Sequence, residues 1–214
     1  MKSVIFNERY GMETATLTGI KQRDTRYEKC CGFILDGLRL GLTRVVFEHN
    51  EIRTYSANNS YIVHKTKYVP NDIVAIKQSY QTVWRNMPSR IQRPIFKKKY
   101  ENTPGWNNKQ LVKASEMPHQ IKILTVDICR LNDISDKESL AEGIEYVGDE
   151  YADGINDYFY RYYNYKLKFE HQHQKIGYFS KARYAFASLF SKLTYKNMWR
   201  INPYVIVYTF ELIK

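Results

Sequence analysis

One segment of eight residues combines three cations with a hydroxyl and a carboxylate: Gly19-Ile20-Lys21-Gln22-Arg23-Asp24-Thr25-Arg26. We predict that a helix ends at Gly19, so Lys21, Arg23 and Arg26 follow it in a turn where cations can hold phosphate groups. The same cations could simply be exposed and attracted by the negative end of the helix dipole. The segment therefore has two interpretations, a phosphate site or a basic surface turn.

Metal and cofactor chemistry is weakly indicated. His171 and His173 could ligate a metal from one face of a strand, but no third ligand stands at a useful spacing. The acidic residues from Glu142 to Asp153 lack a pairing geometry and are typical of a solvated loop. No glycine-rich loop has the spacing of a P-loop or a dinucleotide-binding motif. The sequence predicts neither a metal site nor a cofactor.

The segment 158–169, YFYRYYNYKLKF, interleaves aromatic rings with cations. Rings that stack bases beside cations that hold phosphates form a surface for single-stranded nucleic acid. A Tyr-rich strand or helix packed on the core gives the same pattern, with its cations in solvent. The run Lys97-Lys98-Lys99 is typical of an exposed loop.

Charge is unevenly distributed along the 214 residues. The chain has 33 Lys and Arg against 22 Asp and Glu, a net charge of +11. Residues 85–125 and 158–214 are strongly basic, whereas residues 126–157 are acidic. A basic face attracts phosphate chains because neutralised phosphates release condensed counterions. This pattern favours nucleic acid as the partner.

The cellular location follows from what the sequence lacks. Cys30, Cys31 and Cys129 have no disulfide-framework spacing, and no apolar run reaches about 18 residues. The N-terminal apolar run is broken at once by polar residues and is not typical of a signal peptide. We expect a cytoplasmic protein without a membrane partner.

Local patterns predict a single α+β domain over residues 1–214. Ser135 and Glu138 form a capping-box pattern for a short helix that ends at Gly143. Two segments are interpreted as insertions, a basic one at about 86–115 and an acidic, Tyr-rich one at about 145–178. The other expected elements are strands at 2–6, 73–76, 121–129 and 204–213, short strands and turns at 32–48, a hairpin at 51–63, and helices at 7–18 and 181–193.

Four segments resemble, in order, proteins of the ASCH family. Lys2–Arg26 resembles the family's first strand, helix and Gly-x-Lys loop, with matches at Gly19, Lys21 and Arg26. Tyr68–Tyr80 is similar to a family strand and matches it at Asp72. Met117–Ile144 carries Arg-Leu-Asn-Asp-Ile-Ser and Ala-Glu-Gly-Ile, which resemble the family's most specific signature. Phe186–Phe210, with Trp199 and Asn202-Pro203, is similar to its closing segment.

The resemblance covers about half the chain and implies a PUA-like fold, a small β-barrel with flanking helices and here two insertions. It also implies a phage or mobile-element origin. Some ASCH relatives are acetylcytidine amidohydrolases that use a Lys, a Thr and a Glu. Lys21 matches the lysine, but Asp24 stands at the Thr position, with Thr25 next to it, and Gln78 stands at the Glu position. Because Gln78 carries no charge and Asp24 is no hydroxyl nucleophile, the catalytic set is incomplete.

We therefore predict, first, a nucleic-acid-binding protein, with RNA as the preferred partner and no catalysis. Lys21, Arg23, Arg26 and Lys77 would hold phosphate, and Gln78 and Tyr80 would read or stack a base, in a cleft between the early turn and the adjacent strand end. One alternative is a hydrolase that acts on a modified nucleoside, RNA or DNA with Lys21 and Thr25. Another is a protein–protein interaction module that uses the acidic stretch 126–157.

Overall fold

A computed structural model describes residues 1–147, 160–162, 179–194 and 196–213. Within these residues the fold is α+β, as predicted. The strands are Lys2–Val4 (β1), Arg23–Arg26 (β2), Leu42–Glu48 (β3), Glu51–Ser56 (β4), Tyr61–Lys65 (β5), Ile73–Ile76 (β6), Gln120–Arg130 (β7), Glu145–Tyr146 (β8), Tyr160–Arg161 (β9) and Tyr204–Leu212 (β10). The helices are Met12–Leu17 (α1), Lys29–Arg39 (α2), Tyr80–Asn86 (α3), Gln92–Tyr100 (α4), Asp136–Ala141 (α5), Ala182–Thr194 (α6) and Met198–Ile201 (α7).

The largest sheet has the order β1-β6-β7-β10-β2, so β1 and β2 are its two edges. The long antiparallel pair β7 and β10 forms its centre, and their alternating apolar residues face the core. β3, β4 and β5 form a second sheet, and β8 and β9 form a third. The pairing of the described strands does not close, so the closed barrel that we expected is not formed.

The main sheet nevertheless curls until its edges face each other. Ile5 and Phe6, which follow β1, line the same cleft as Asp24–Arg26 of β2. Across this gap the Lys21 ammonium lies 5.8 Å from the centre of the Phe6 ring. The sheet is therefore curved, and a cleft lies at the seam between its two edges.

The second sheet covers the core beside α2. Ile52 of β4 and Ile34 of α2 are completely buried in the cluster that also holds the inward side chains of β7 and β10. The hairpin predicted for residues 51–63 is confirmed as β4 and β5, and Asn59 in its turn has a positive φ of 63°. Asn accepts this left-handed conformation more readily than most residues.

The prediction of short strands over residues 32–48 is wrong in its first half, where the chain forms α2. The glycines had suggested turns, but Cys30, Cys31 and Ile34 face the core at helical spacing. At Gly37 a Cβ atom would lie 2.2 Å from a methyl carbon of Leu42. This glycine therefore permits close packing of β3 on the helix rather than a turn.

The basic insertion is folded. Residues 86–115 contain all of α4, two short 3-10 turns and the start of a third, where the sequence had indicated irregular structure. Tyr80, Tyr100, Val112 and Met117 are buried together beneath them. Aromatic packing between α3 and α4 therefore orders this segment, which its proline and asparagine content had obscured.

Most of the acidic, Tyr-rich insertion at 145–178 lies outside the described residues, as do His171 and His173. The predicted strands over 73–76, 121–129 and 204–213 and the capping-box helix are confirmed. The predicted helix at residues 7–18 begins only at Met12, and the Asn7 side chain does not cap the preceding 3-10 turn. None of the described helices is both long and apolar enough to cross a lipid bilayer.

Candidate ligand-binding cleft

Lys21 lies in the interior, 1% exposed, at the end of the turn that leads into β2. Its ammonium group donates to the main-chain oxygen of Arg23 at 2.5 Å and to the Glu142 carboxylate at 2.7 Å. Asp24 Oδ1 is a further 3.4 Å ion-pair partner. A buried cation needs such partners because losing its hydration is costly. Lys21 is therefore not placed to hold a phosphate directly.

Glu142 links Lys21 to Thr25. One oxygen of its carboxylate accepts from Lys21, and the other accepts the Thr25 hydroxyl. Glu142 is the residue after α5, and it is 2% exposed. The next residue, Gly143, has a φ of +94°, and a Cβ there would lie 3.3 Å from the Ala15 methyl group. The chain turn after α5 therefore brings this carboxylate against β2.

Asp24 and Arg26 form a second ion pair on β2, with Arg26 Nε against Asp24 Oδ2. Burial raises the pKa of Asp24, but the Arg26 guanidinium and the Lys21 ammonium outweigh it, so the pKa lies below the ordinary value. Arg23 turns the other way and pairs with Glu138. All three charged side chains of β2, those of Arg23, Asp24 and Arg26, are therefore in ion pairs.

A further polar cluster lies at the end of β6. The Gln78 amide donates to Glu13 Oε1 at 2.8 Å, and Lys109 lies 3.2 Å from Glu13 Oε2. Burial raises the pKa of Glu13, although Gln78 and Lys109 oppose the shift. Among the described residues, Gln78 Oε1 is buried without a hydrogen-bond partner. A carboxylate, that of Glu13 on α1, therefore lies next to Gln78.

The cleft at the seam has a volume of about 740 Å³, which is in the range of small-molecule sites. Its lining combines apolar or aromatic side chains with polar or charged ones. The apolar and aromatic members include Phe6, Met12, Tyr27, Phe190 and Leu193, and the polar members include Glu8, Asp24, Thr25, Arg26, Glu28, Lys29, Lys67 and Lys109. The cleft can therefore take a ligand that has a flat apolar part and an anionic part.

Two lysines make this cleft attractive to an anion. Within the described part of the chain, neither Lys29 nor Lys67 forms an ion pair. Burial lowers the pKa of Lys67, and the Arg26 guanidinium lowers it further. Because both effects penalise its charged form, an anion beside Lys67 would be stabilised.

The structure distributes the predicted site residues differently from our expectation. Arg26 and Thr25 line the cleft, whereas Lys21 and Arg23 lie behind or beside it in ion pairs. β2 and β6 are not side by side, since β7 and β10 lie between them. The predicted adjacency of the early turn and the strand end is wrong in this respect.

Two residues that we predicted to contact a ligand, Lys77 and Tyr80, contact other parts of the protein instead. The Lys77 ammonium donates to the main-chain oxygen of Gln110 at 2.9 Å. Tyr80 is 3% exposed, and its ring is stacked on Tyr100 at 4.1 Å between centroids. Tyr80 therefore packs the basic insertion, and its ring face is not presented to a base.

Sequence reasoning missed Glu142, Glu13 and Lys67 as site residues. Glu142 had a signal, since it is the acidic residue of the Ala-Glu-Gly-Ile motif, but we interpreted it as part of a solvated loop. Glu13 and Lys67 had none, because only the curling of the sheet brings α1 and the segment after β5 to the cleft.

No family model, no curated protein and no solved structure matches this chain, so its resemblance to the ASCH family remains a prediction.

Proposed function

We propose that this chain is a PUA-like protein of the ASCH type, opened at its seam, and that the cleft there binds a nucleotide of an RNA chain. The observation that carries the proposal is the lining of the cleft, which combines aromatic and aliphatic side chains with Lys29, Lys67 and Arg26. A base is a flat, largely apolar group that stacks on aromatic rings, and its phosphate is an anion. Both parts of a nucleotide therefore have matching partners.

A titration of a fluorescent single-stranded RNA decamer at two salt concentrations tests this proposal. We expect binding that weakens steeply as salt rises, because displaced counterions drive part of the affinity. Lys67→Gln should reduce the slope of log affinity against log salt by about 0.7, the value for one phosphate contact on a single strand. The matched control is Lys97→Gln, which removes an exposed cation from α4, outside the cleft. Equal effects of the two substitutions on the salt dependence would contradict the placement of a phosphate beside Lys67.

A second candidate function, hydrolysis of an amide on a modified nucleoside, is favoured by one observation. Thr25 is one of the residues that line the cleft, and its hydroxyl donates to Glu142, whose other oxygen accepts from Lys21. A hydroxyl, a carboxylate that can take its proton and a group that orients that carboxylate are the parts of an activated nucleophile. On this proposal Glu142 supplies the carboxylate that Gln78 lacks.

The reaction would proceed in two steps. Thr25 Oγ1 attacks the amide carbonyl carbon while its proton passes to Glu142, and the proton then moves to the amine as the carbon–nitrogen bond breaks. Water attacks the resulting ester on Thr25, gives a proton to Glu142, and releases the acid as the hydroxyl is restored. Lys21 holds the carboxylate in place throughout.

Incubation with N4-acetylcytidine, followed by chromatography of the products, tests this second candidate. We expect release of cytidine and acetate that Thr25→Val abolishes and that Thr43→Val, a change at an exposed position on β3, leaves intact. Absence of cytidine with the unmodified protein, or equal activity in Thr25→Val, would rule out this mechanism.

A further inference from the structure

In the sheet formed by β3, β4 and β5, the central strand β4 has one face on the core and the other face towards solvent. Ile52 and Thr54 are completely buried on the inner face. Because side chains alternate along a strand, the residues between them point outward. Tyr55 of β4 lies directly opposite Arg44 of β3 and Tyr61 of β5 on this outer face.

The two tyrosines form an aromatic pair at the surface, in which Tyr61 is exposed and Tyr55 is half-buried. Their ring centroids are 5.4 Å apart, and Tyr61 is 52% exposed. The guanidinium of Arg44 lies 4.2 Å from the centre of the Tyr55 ring, and that of Arg53 lies 5.1 Å from the Tyr61 ring. Rings and cations are thus interleaved on a rigid sheet.

The charges of this face are graded from one end to the other. At the β3–β4 turn Glu48 and Glu51 lie within 3.9 Å of Arg53, and Lys65 stands opposite Glu51. At the other end, beside the tyrosines, Arg44 is exposed, and within the described residues it forms no ion pair. The aromatic end therefore carries an uncompensated positive charge.

We propose that this face binds single-stranded nucleic acid, with bases stacked on Tyr55 and Tyr61 and a phosphate at Arg44. Exposed aromatic side chains on a sheet face, next to cations, stack bases in a widespread class of RNA-binding domains. The surface is separate from the cleft, and its binding does not depend on the function proposed there.

The path of the chain connects the two sites. β5 runs from Tyr61 to Lys65, and Lys67, two residues later, lines the cleft. At about 3.3 Å per residue, the six residue steps from Tyr61 to Lys67 span at most about 20 Å. One extended nucleic-acid strand can therefore reach from the sheet face towards the seam.

The outer face has an alternative explanation in sheet stability, since cross-strand aromatic pairs also stabilise sheets. Tyr61→Val and Tyr61→Phe separate the two roles: valine keeps the strand preference without a ring, and phenylalanine keeps the ring. Tyr184→Leu is the matched control, because Tyr184 is 41% exposed with the Arg183 guanidinium 5.5 Å from its ring, but it lies on α6. Thermal unfolding establishes that each variant is folded.

The probe is a fluorescent oligouridine decamer, titrated at fixed low salt and followed by anisotropy. We expect Tyr61→Val to weaken binding roughly 5- to 150-fold, the loss that corresponds to one stacked base. Tyr61→Phe and Tyr184→Leu should bind like the unmodified protein. Arg44→Gln should weaken binding and also reduce its dependence on salt.

Three results would overturn the inference. The first is no binding of the decamer by the unmodified protein, and the second is unchanged affinity in folded Tyr61→Val. The third is a dimer, seen by sedimentation, that Tyr61→Val dissociates without any effect on the decamer, which would assign the face to a second copy of this chain.

Discussion

The buried charges of Lys21, Asp24 and Glu142 stabilise one another only as a set. Each is removed from water, and the loss of one leaves another without sufficient compensation. The sequence identifies Lys21 and Asp24 as candidate site residues. It does not reveal their ion-pair partner, because Glu142 is 121 residues away from Lys21. Spacing along the chain could therefore suggest the cations of this site. It could not show that Lys21 is buried in the protein interior.

The substitution Glu142→Gln tests this interdependence. It removes the charge that faces Lys21 at 2.7 Å, so we expect the free energy of unfolding to fall by about 3 kcal/mol, typical of a broken buried ion pair. Urea unfolding measures the change. The control is Glu101→Gln, which breaks a 3.7 Å pair with Lys97 on the surface and should cost about 0.5 kcal/mol or less. Similar losses in both variants would contradict the interpretation.

The pKa of Asp24 predicts a dependence of stability on pH. Because Arg26 and Lys21 hold this pKa below the ordinary value of 3.8, the ionised carboxylate stabilises the fold fully above that value. The stabilisation is lost as the pH falls from about 4 through the lower pKa of the folded protein. The stability advantage of the unmodified protein over Asp24→Asn should thus be largest near neutral pH and shrink below pH 4. Thermal midpoints of both proteins from pH 7 to pH 3 measure it, and a constant difference would disprove the assignment.

At the scale of elements, the sequence predicted structure well where the signal is local. The capping box, the hairpin at residues 51–63 and the strand at Ile73–Ile76 each depend on neighbouring residues, and each is confirmed. The prediction was wrong for α2, where glycines serve close packing rather than turns. It also missed α4, whose stability comes from aromatic contacts with α3. The open seam was not predictable, since it depends on the curvature of the whole sheet.

Ser135→Ala tests the element that places Glu142. The Ser135 hydroxyl accepts from the main chain of Glu138, and the Glu138 side chain accepts from the main chain of Ser135. We expect the loss of the Ser135 hydroxyl to lower the free energy of unfolding by about 1 kcal/mol, as for other N-cap serines. Ser191→Ala, in the interior of α6, should change stability by less than about 0.5 kcal/mol. Urea unfolding compares the two, and a larger effect at Ser191 would argue against the cap.

At the scale of the whole molecule, internal ion pairs engage several cations, as the cluster around β2 shows, and the net charge of +11 is the excess of cations over carboxylates. Part of this excess lies at the cleft, at Lys29 and Lys67, and on the outer face of the second sheet, at Arg44. The sequence therefore indicated the class of partner that we propose, but it placed the contact residues in the wrong part of the turn.

Binding to the folded state must also stabilise the molecule. At an RNA concentration one hundred times the dissociation constant, we expect the free energy of unfolding to increase by about 2.7 kcal/mol. Thermal unfolding with and without the oligonucleotide measures this increase. A lowered midpoint would mean that RNA prefers the unfolded chain, and it would contradict a preformed site.

The most direct test of the central claim, that the cleft at the seam holds a nucleotide, is photo-crosslinking. RNA that carries 4-thiouridine is bound, irradiated and digested, and the cross-linked peptides are identified by mass spectrometry. We predict cross-links to peptides that contain Tyr27, the half-buried tyrosine in the lining of the cleft. Cross-links confined to α4 and its lysines, with none at Tyr27, would contradict the account.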